Sequence, residues 1–177
     1  MKRATMFLAG LAVAALPAVG FAQANELTTT QTIRIKASPD DVWALVGDFG
    51  GISKWFPPAE SSRLVLRSRN EEGAIRELVR RNGTKVTERL TEYDPYNMRL
   101  TYTYADGAVA ASDYFSTVQV TDAGNGETEV VWSGRFTRVA YWQDPPPAGQ
   151  DDDALRTFFS NVYKAGLGAL KAAVEAR

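Results

Sequence analysis

The sequence predicts an α+β domain in which a long C-terminal helix lies across a curved antiparallel sheet. From Ser61 to Phe136, short alternating runs follow one another with turn residues between them. From Leu155 to Val174, apolar residues recur at helical spacing. One strand and two short helical segments precede the long strand region, so helices and strands are segregated rather than interleaved.

The first segment reads as an export signal. Lys2 and Arg3 precede an almost wholly apolar run from Met6 to Val19, and Ala22-Gln23-Ala24 supplies a small-x-small cleavage pattern. The apolar run is short for a membrane span, which needs about 20 residues. Cleavage after Ala24 and a periplasmic location are expected, leaving Asn25 to Arg177 as a single domain with no stable membrane insertion.

Gln31 to Lys36 alternates around Ile33 and Ile35 as a first strand. Ser38-Pro39-Asp40-Asp41 opens a helix: Ser38 caps it, Pro39 suits its first turn, and the aspartates meet the positive end of the dipole. Gly50-Gly51 is expected to break it, with one more short turn from Ile52 to Phe56 ending at Pro57-Pro58. Strand breaks are expected at Asn70 to Gly73, Asn82-Gly83, Asp94-Pro95, Asp106-Gly107 and Gly124-Asn125-Gly126, as in a meander. Asn82-Gly83-Thr84 also matches a glycosylation sequon, but a hairpin turn accounts for it. After a proline-bearing loop, Tyr141 to Gln150, Asp151, Asp152 and Asp153 start the last helix; capping explains them better than a bound cation. Leu155, Phe158, Phe159, Val162, Tyr163, Gly166, Leu170 and Val174 form its apolar stripe, along a helix of roughly 40 Å at 1.5 Å per residue.

Composition narrows the chemistry. The chain contains no cysteine, so disulfides, thiolate nucleophiles and thiolate metal sites are excluded. It contains no histidine, the usual general base and commonest metal ligand. No metal or cofactor is expected. Losing Lys2 and Arg3 with the leader takes the formal charge from −1 to −3, which offers no footprint for nucleic acid or anionic lipid.

Alternation assigns several inward faces. Met98, Leu100, Tyr102 and Tyr104 share one; Tyr114, Ser116, Val118 and Val120 share another. Val86, Glu88 and Leu90 share a third, which sets Glu88 among apolar neighbours. A carboxylate there must be paired, hydrogen-bonded or protonated, and Lys54, Arg76 and the tyrosine hydroxyls are its candidate partners. It is then either an internal ion pair or the polar anchor of an apolar cavity. The tyrosines are correspondingly core packing or pocket lining. Ala165, Gly166, Gly168 and Ala169 allow a close approach of helix and sheet or leave room for a ligand. The inward faces of Ala74 to Arg81 and of Val130 to Phe136 stay open, with Trp132 and Ser133 competing for the interior.

Ser38-Pro39-Asp40-Asp41-Val42-Trp43, Gly73-Ala74-Ile75-Arg76-Glu77-Leu78, Glu88-Arg89-Leu90, Asp113-Tyr114, Trp132-Ser133-Gly134 and Ala165-Gly166-Leu167 stand in an order that resembles the polyketide cyclase/dehydrase and lipid transport group of the SRPBCC (START/Bet v 1-like) superfamily. The resemblance implies a helix-grip fold, its sheet wrapped around the C-terminal helix and a hydrophobic cavity. Related plant hormone receptors carry a pocket lysine, a glutamate in Glu-Arg-Leu and a tyrosine in Asn-Tyr; Lys54, Glu88 and Tyr114 fall at the matching positions. Arg80 to Thr84 and Asp106 to Ala111 do not reproduce the receptors' gating loops. An exported member of this size is also similar to the MxaD-type periplasmic accessory proteins of bacterial methanol oxidation.

Three functions are therefore in view. The first is binding of a small apolar molecule with a polar group, walled by Leu100, Tyr102, Tyr104, Phe158 and Val162 and oriented by Lys54, Arg76, Glu88 and Tyr114, with Ser116 on the same face. The second is an accessory role toward a periplasmic quinoprotein (methanol) dehydrogenase or its cytochrome, through Trp55-Phe56-Pro57-Pro58 and Tyr141-Trp142 as an exposed contact. The third is a cyclase or dehydratase-type enzyme with Glu88 as its weakly indicated general acid or base and Tyr114 or Lys54 polarising a carbonyl.

Overall fold

The computed structural model describes residues 25–107, 111–139, 141, 143 and 145–177. The expected leader, Met1 to Ala24, and Trp142 lie outside the described residues. The chain runs β1 (Leu27–Ile35), α1 (Pro39–Val46), a 3-10 helix (Phe49–Lys54), β2 (Ala59–Leu66), β3 (Ile75–Arg80), β4 (Lys85–Asp94), β5 (Arg99–Gly107), β6 (Ala111–Gly124), β7 (Glu127–Arg138) and α2 (Asp152–Glu175). One seven-stranded sheet has the order β1-β7-β6-β5-β4-β3-β2, every neighbouring pair antiparallel. Strands β2 to β7 form the meander, and β1 crosses the sheet to close on β7. This is the helix-grip arrangement, with α2 held by the curved sheet.

Local chemistry explains most boundaries. Ser38 Oγ accepts from the Asp41 backbone amide at 3.2 Å, capping α1. Asp151 Oδ1 likewise accepts from Ala154 N at 2.8 Å, and Asp152 and Asp153 occupy the first turn of α2. At 24 residues, α2 extends about 36 Å. Three contacts lace it to β1 and the residue that follows it: Gln31 Nε2 to Ser160 Oγ at 2.9 Å, Lys171 Nζ to Arg34 O at 2.8 Å, and Lys36 N to Glu175 Oε1 at 2.9 Å.

Three boundaries differ from the sequence reading. β1 begins at Leu27, because Thr28, Thr29 and Thr30 continue the pairing with Arg135, Gly134 and Ser133. The first helix already ends at Val46, ahead of the glycines, and the helical break falls at Gly51, which separates two short turns within Phe49–Lys54. Asp106-Gly107 is still strand: both residues pair with Thr87 and Val86. Gly107 has φ +120°, and a Cβ there would stand 2.7 Å from Lys85 O, so the close approach of β4 requires glycine.

The ladder also settles the two open faces. Arg76 pairs across from Glu88, which puts Ala74, Arg76 and Leu78 on the inner side. Val130, Trp132 and Phe136 point inward and are buried. Trp132 therefore takes the interior and Ser133 the outer face.

Candidate functional site

Between α2 and the concave side of β3–β7 lies a cavity of about 370 Å³, within the ~300–1,000 Å³ range of ligand pockets. Its floor is aromatic, because Tyr102, Tyr104, Tyr114 and Trp132 come from inward positions on three neighbouring strands. Phe158, Phe159, Val162 and Tyr163 of α2 form the roof. Phe158, Pro58 and Asn82 are exposed, so the opening lies between the first half of α2, the start of β2 and the β3–β4 turn.

The rings are ordered by stacking. Tyr104 stacks on Tyr114 with centroids 4.2 Å apart, and Tyr114 on Phe159 at 5.0 Å. Trp132 stacks on Tyr163 at 4.7 Å. A hydrogen-bond chain links their polar tips: Trp132 Nε1 donates to Ser116 Oγ at 2.7 Å, Ser116 Oγ to Tyr163 OH at 3.2 Å, and Tyr163 OH meets Tyr114 OH at 3.0 Å. The hydroxyls of Tyr114 and Tyr163 and the indole of Trp132 are thus satisfied.

Set into this apolar surface is one ion pair. Arg76 Nε donates to Glu88 Oε2 at 2.6 Å, with side-chain exposures of 4% and 9%. Arg76 Nη1 also donates to Phe49 O at 2.9 Å. Its guanidinium lies 4.1 Å from the Phe49 ring centroid and 4.8 Å from that of Tyr102. Four contacts from three residues therefore fix one cation. Among the described residues no hydrogen bond reaches Glu88 Oε1 or Arg76 Nη2, while both residues line the cavity. The pair can accordingly offer one acceptor and one donor to a guest.

Burial, followed by the nearby negative charge of Glu88, raises the hydroxyl of Tyr102 above the ordinary phenol value. Burial first, and then Glu88 for Tyr104 and the neighbouring Tyr102 for Tyr114 and Tyr163, raises these three hydroxyls as well. These hydroxyls act as neutral donors or acceptors across the physiological range. Because their folded values exceed the unfolded one, their stabilising effect is complete below about pH 10 and is lost as pH rises through the folded values. Absorbance at 295 nm should therefore show a native phenolate step near pH 10–11 well short of the amplitude for all seven tyrosines in denaturant. A full native amplitude at that pH would place these rings in water.

The expected site residues separate into three groups. Arg76, Glu88, Tyr102, Tyr104, Tyr114, Phe158 and Val162 converge on the cavity. Leu100 and Ser116 are buried behind it, Ser116 supporting Tyr163 and Trp132 rather than touching the space. Lys54 stands apart: it is 63% exposed and bound to Asp48 at 2.6 Å, because the 3-10 helix turns it outward. Trp55 and Phe56, expected as an exposed contact, are buried. They pack edge-on or tilted against Trp132 at 5.9 and 6.0 Å. Gly166 admits Phe56 and Trp132, since a Cβ there would lie 2.6 Å from Trp132 and 3.1 Å from Phe56. Ala165 and Gly168, by contrast, are exposed. Phe159, Tyr163, Trp132, Leu78 and Arg80 complete the wall without having been singled out as site residues; the small residues Gly134 and Gly166 facing large rings were the available signal.

A sequence-family profile described as polyketide cyclase / dehydrase and lipid transport matches residues 26–175. The protein XoxI from Bacillus cereus is similar at 30% identity and a TM-score of 0.72, over 84% of this chain and 95% of that one. The Zhui aromatase/cyclase from Streptomyces sp. R1128 superposes with a TM-score of 0.71 at 21% identity, over 86% and 96% of the two chains. Norcoclaurine synthase from Thalictrum flavum gives 0.62 at 14% identity, over 87% and 97%. The last two likenesses concern the fold alone. No curated protein sequence matches the chain.

Proposed function

Because this chain belongs to the polyketide cyclase/dehydrase and lipid transport family, a ligand-binding family of the SRPBCC superfamily, we propose that it is an exported binding protein for a small apolar molecule carrying a polar group. The supporting observation is the cavity of about 370 Å³, walled mainly by aromatic and aliphatic side chains with the buried Arg76–Glu88 pair set among them. Rings and aliphatic side chains supply non-directional affinity there, and the ion pair supplies orientation. Export is proposed from the charged-apolar-small leader; β1 starts at Leu27, so cleavage after Ala24 spares the whole sheet.

Native mass spectrometry of protein recovered from the periplasmic fraction tests both parts together. The expected species begins at Asn25 and carries a non-covalent adduct of a few hundred daltons. Consistently adduct-free protein, with no thermal shift across an aromatic and lipid library, would sink the binding reading. Absence of the protein from that fraction, with a chain starting at Met1 in the cytoplasmic one, would sink export.

A second reading is favoured by the apolar residues at the cavity end of the molecule. Phe158, Val139 and Tyr141 are 47%, 45% and 37% exposed, and Arg138 pairs with Asp152 at 3.1 Å, which brings the end of β7 beside the start of α2. Such a patch suits a protein partner, and a periplasmic quinoprotein dehydrogenase or its cytochrome is the class proposed. The catalytic reading is weaker in support: Lys54 is remote from the cavity, and Glu88 is engaged by Arg76.

A further inference from the structure

The charges around the cavity are unevenly distributed. Three charged residues line it: Arg76, Arg80 and Glu88. Arg76 and Glu88 neutralise one another at depth. Arg80 does not share in that balance. It stands at the end of β3, where Arg80 N donates to Thr84 O and Gly83 N to Arg80 O, both at 2.8 Å, so the turn fixes it at the rim. Alternation from Arg76 and Leu78 places its side chain on the inner face, beside exposed Asn82. Among the described residues no carboxylate forms an ion pair with it. The nearby cations and acids are otherwise engaged: Arg81 donates to Pro57 O at 2.7 Å, and Lys85 meets Glu77 at 3.6 Å. The rim is thus positive in a chain whose formal net charge is −1.

We propose that the cavity selects monoanionic amphipathic acids and binds them in one direction, with the acid group at the rim on Arg80, the ring or chain inward, and an uncharged hydroxyl, where there is one, at Arg76–Glu88. This rests on the binding reading above. The reverse direction is disfavoured because a ligand carboxylate at depth would lie against Glu88 in a low-dielectric space. A hydroxyl fits there, since it donates to Glu88 Oε1 and accepts from Arg76 Nη2. At the rim, the half-buried guanidinium gives a charge-assisted bond to a carboxylate and no corresponding gain to an alcohol.

Calorimetric titration of wild type and Arg80→Gln with two matched probe pairs tests the assignment: 6-hydroxy-2-naphthoate against 2-naphthol, and decanoate against decanol. Wild type is expected to bind each acid about tenfold more tightly than its alcohol. The preference should shrink as ionic strength rises. Arg80→Gln should abolish it while leaving the alcohols within about twofold. Equal affinity of acid and alcohol in wild type, or a preference that survives Arg80→Gln, overturns the charge assignment and leaves the binding reading standing. Failure of all four probes to bind overturns both.

Discussion

Glu88→Ala should destabilise the fold by about 3–5 kcal/mol in a urea titration, the usual cost of breaking a buried ion pair from one side. Arg76 then keeps Phe49 O and two aromatic faces, so its charge is only partly orphaned. Arg76→Ala should fall at the upper end of the range, because it strands a carboxylate among rings, where the other cation lining the cavity, Arg80, stands at the rim. The double substitution Arg76→Met, Glu88→Leu should return close to wild-type stability, since apolar residues of similar volume often replace a buried pair at no net cost. Its affinity for a hydroxyl-bearing ligand should nonetheless drop, about tenfold for the loss of one donor and one acceptor. A double variant that is stable and binds as wild type does would make the pair a packing device and not an anchor. A Glu88→Ala protein within 1 kcal/mol of wild type would show that the pair is not desolvated in solution.

How much of this was readable in the chain depends on how local the determinant is. The start of α1 was legible because Ser38, Pro39, Asp40 and Asp41 all act within one turn. Glu88 was placed on the inner face because Val86 and Leu90 flank it at period two, and the register shift beside Glu88 puts its extra residue, Ala105, on β5, so the alternation along β4 is kept. β3 could not be oriented that way: both its faces mix charge and apolar groups, and only the cross-strand pairing Arg76↔Glu88 decides. Trp132 is a similar case, selected over Ser133 by Ser116 across the ladder and by Gly166 on a distant helix.

Lys54 and the Trp55-Phe56 pair were misplaced for one common reason. A 3-10 helix advances differently from an α-helix, so the turn beginning at Phe49 directs Lys54 to Asp48 and the next two aromatics into the core. Nothing local to Trp55-Phe56-Pro57-Pro58 reveals that Gly166, more than a hundred positions later, leaves space for Phe56. The cavity is likewise a property of the assembled layers. Glycine at 134 lets Tyr163 lie against β7, because a Cβ there would collide with the tyrosine hydroxyl, and the ring positions that follow set the floor height.

Val162→Trp should separate the cavity from every other part of the surface. Val162 sits on α2 one turn from Phe158 and one from Gly166, half-buried, with its side chain on the cavity wall. An indole there occupies space that a ligand needs in a chamber of only about 370 Å³. Affinity for any cavity ligand is expected to fall by at least about a hundredfold, roughly 2.7 kcal/mol. Stability should change little, since the added ring fills space already lined by apolar atoms. Overpacking costs about 1–3 kcal/mol where the neighbours cannot yield, and exposed Phe158 is free to do so. Val162→Phe provides a smaller plug on the same wall should the larger one disturb folding, with an intermediate loss of affinity expected. A folded Val162→Trp protein that retains wild-type affinity would mean that the ligand sits elsewhere and that the chamber under α2 is a packing remnant. Binding lost in this variant but kept after Tyr141→Ala and Val139→Ala would locate recognition inside the sheet's grip rather than on the apolar patch beside it.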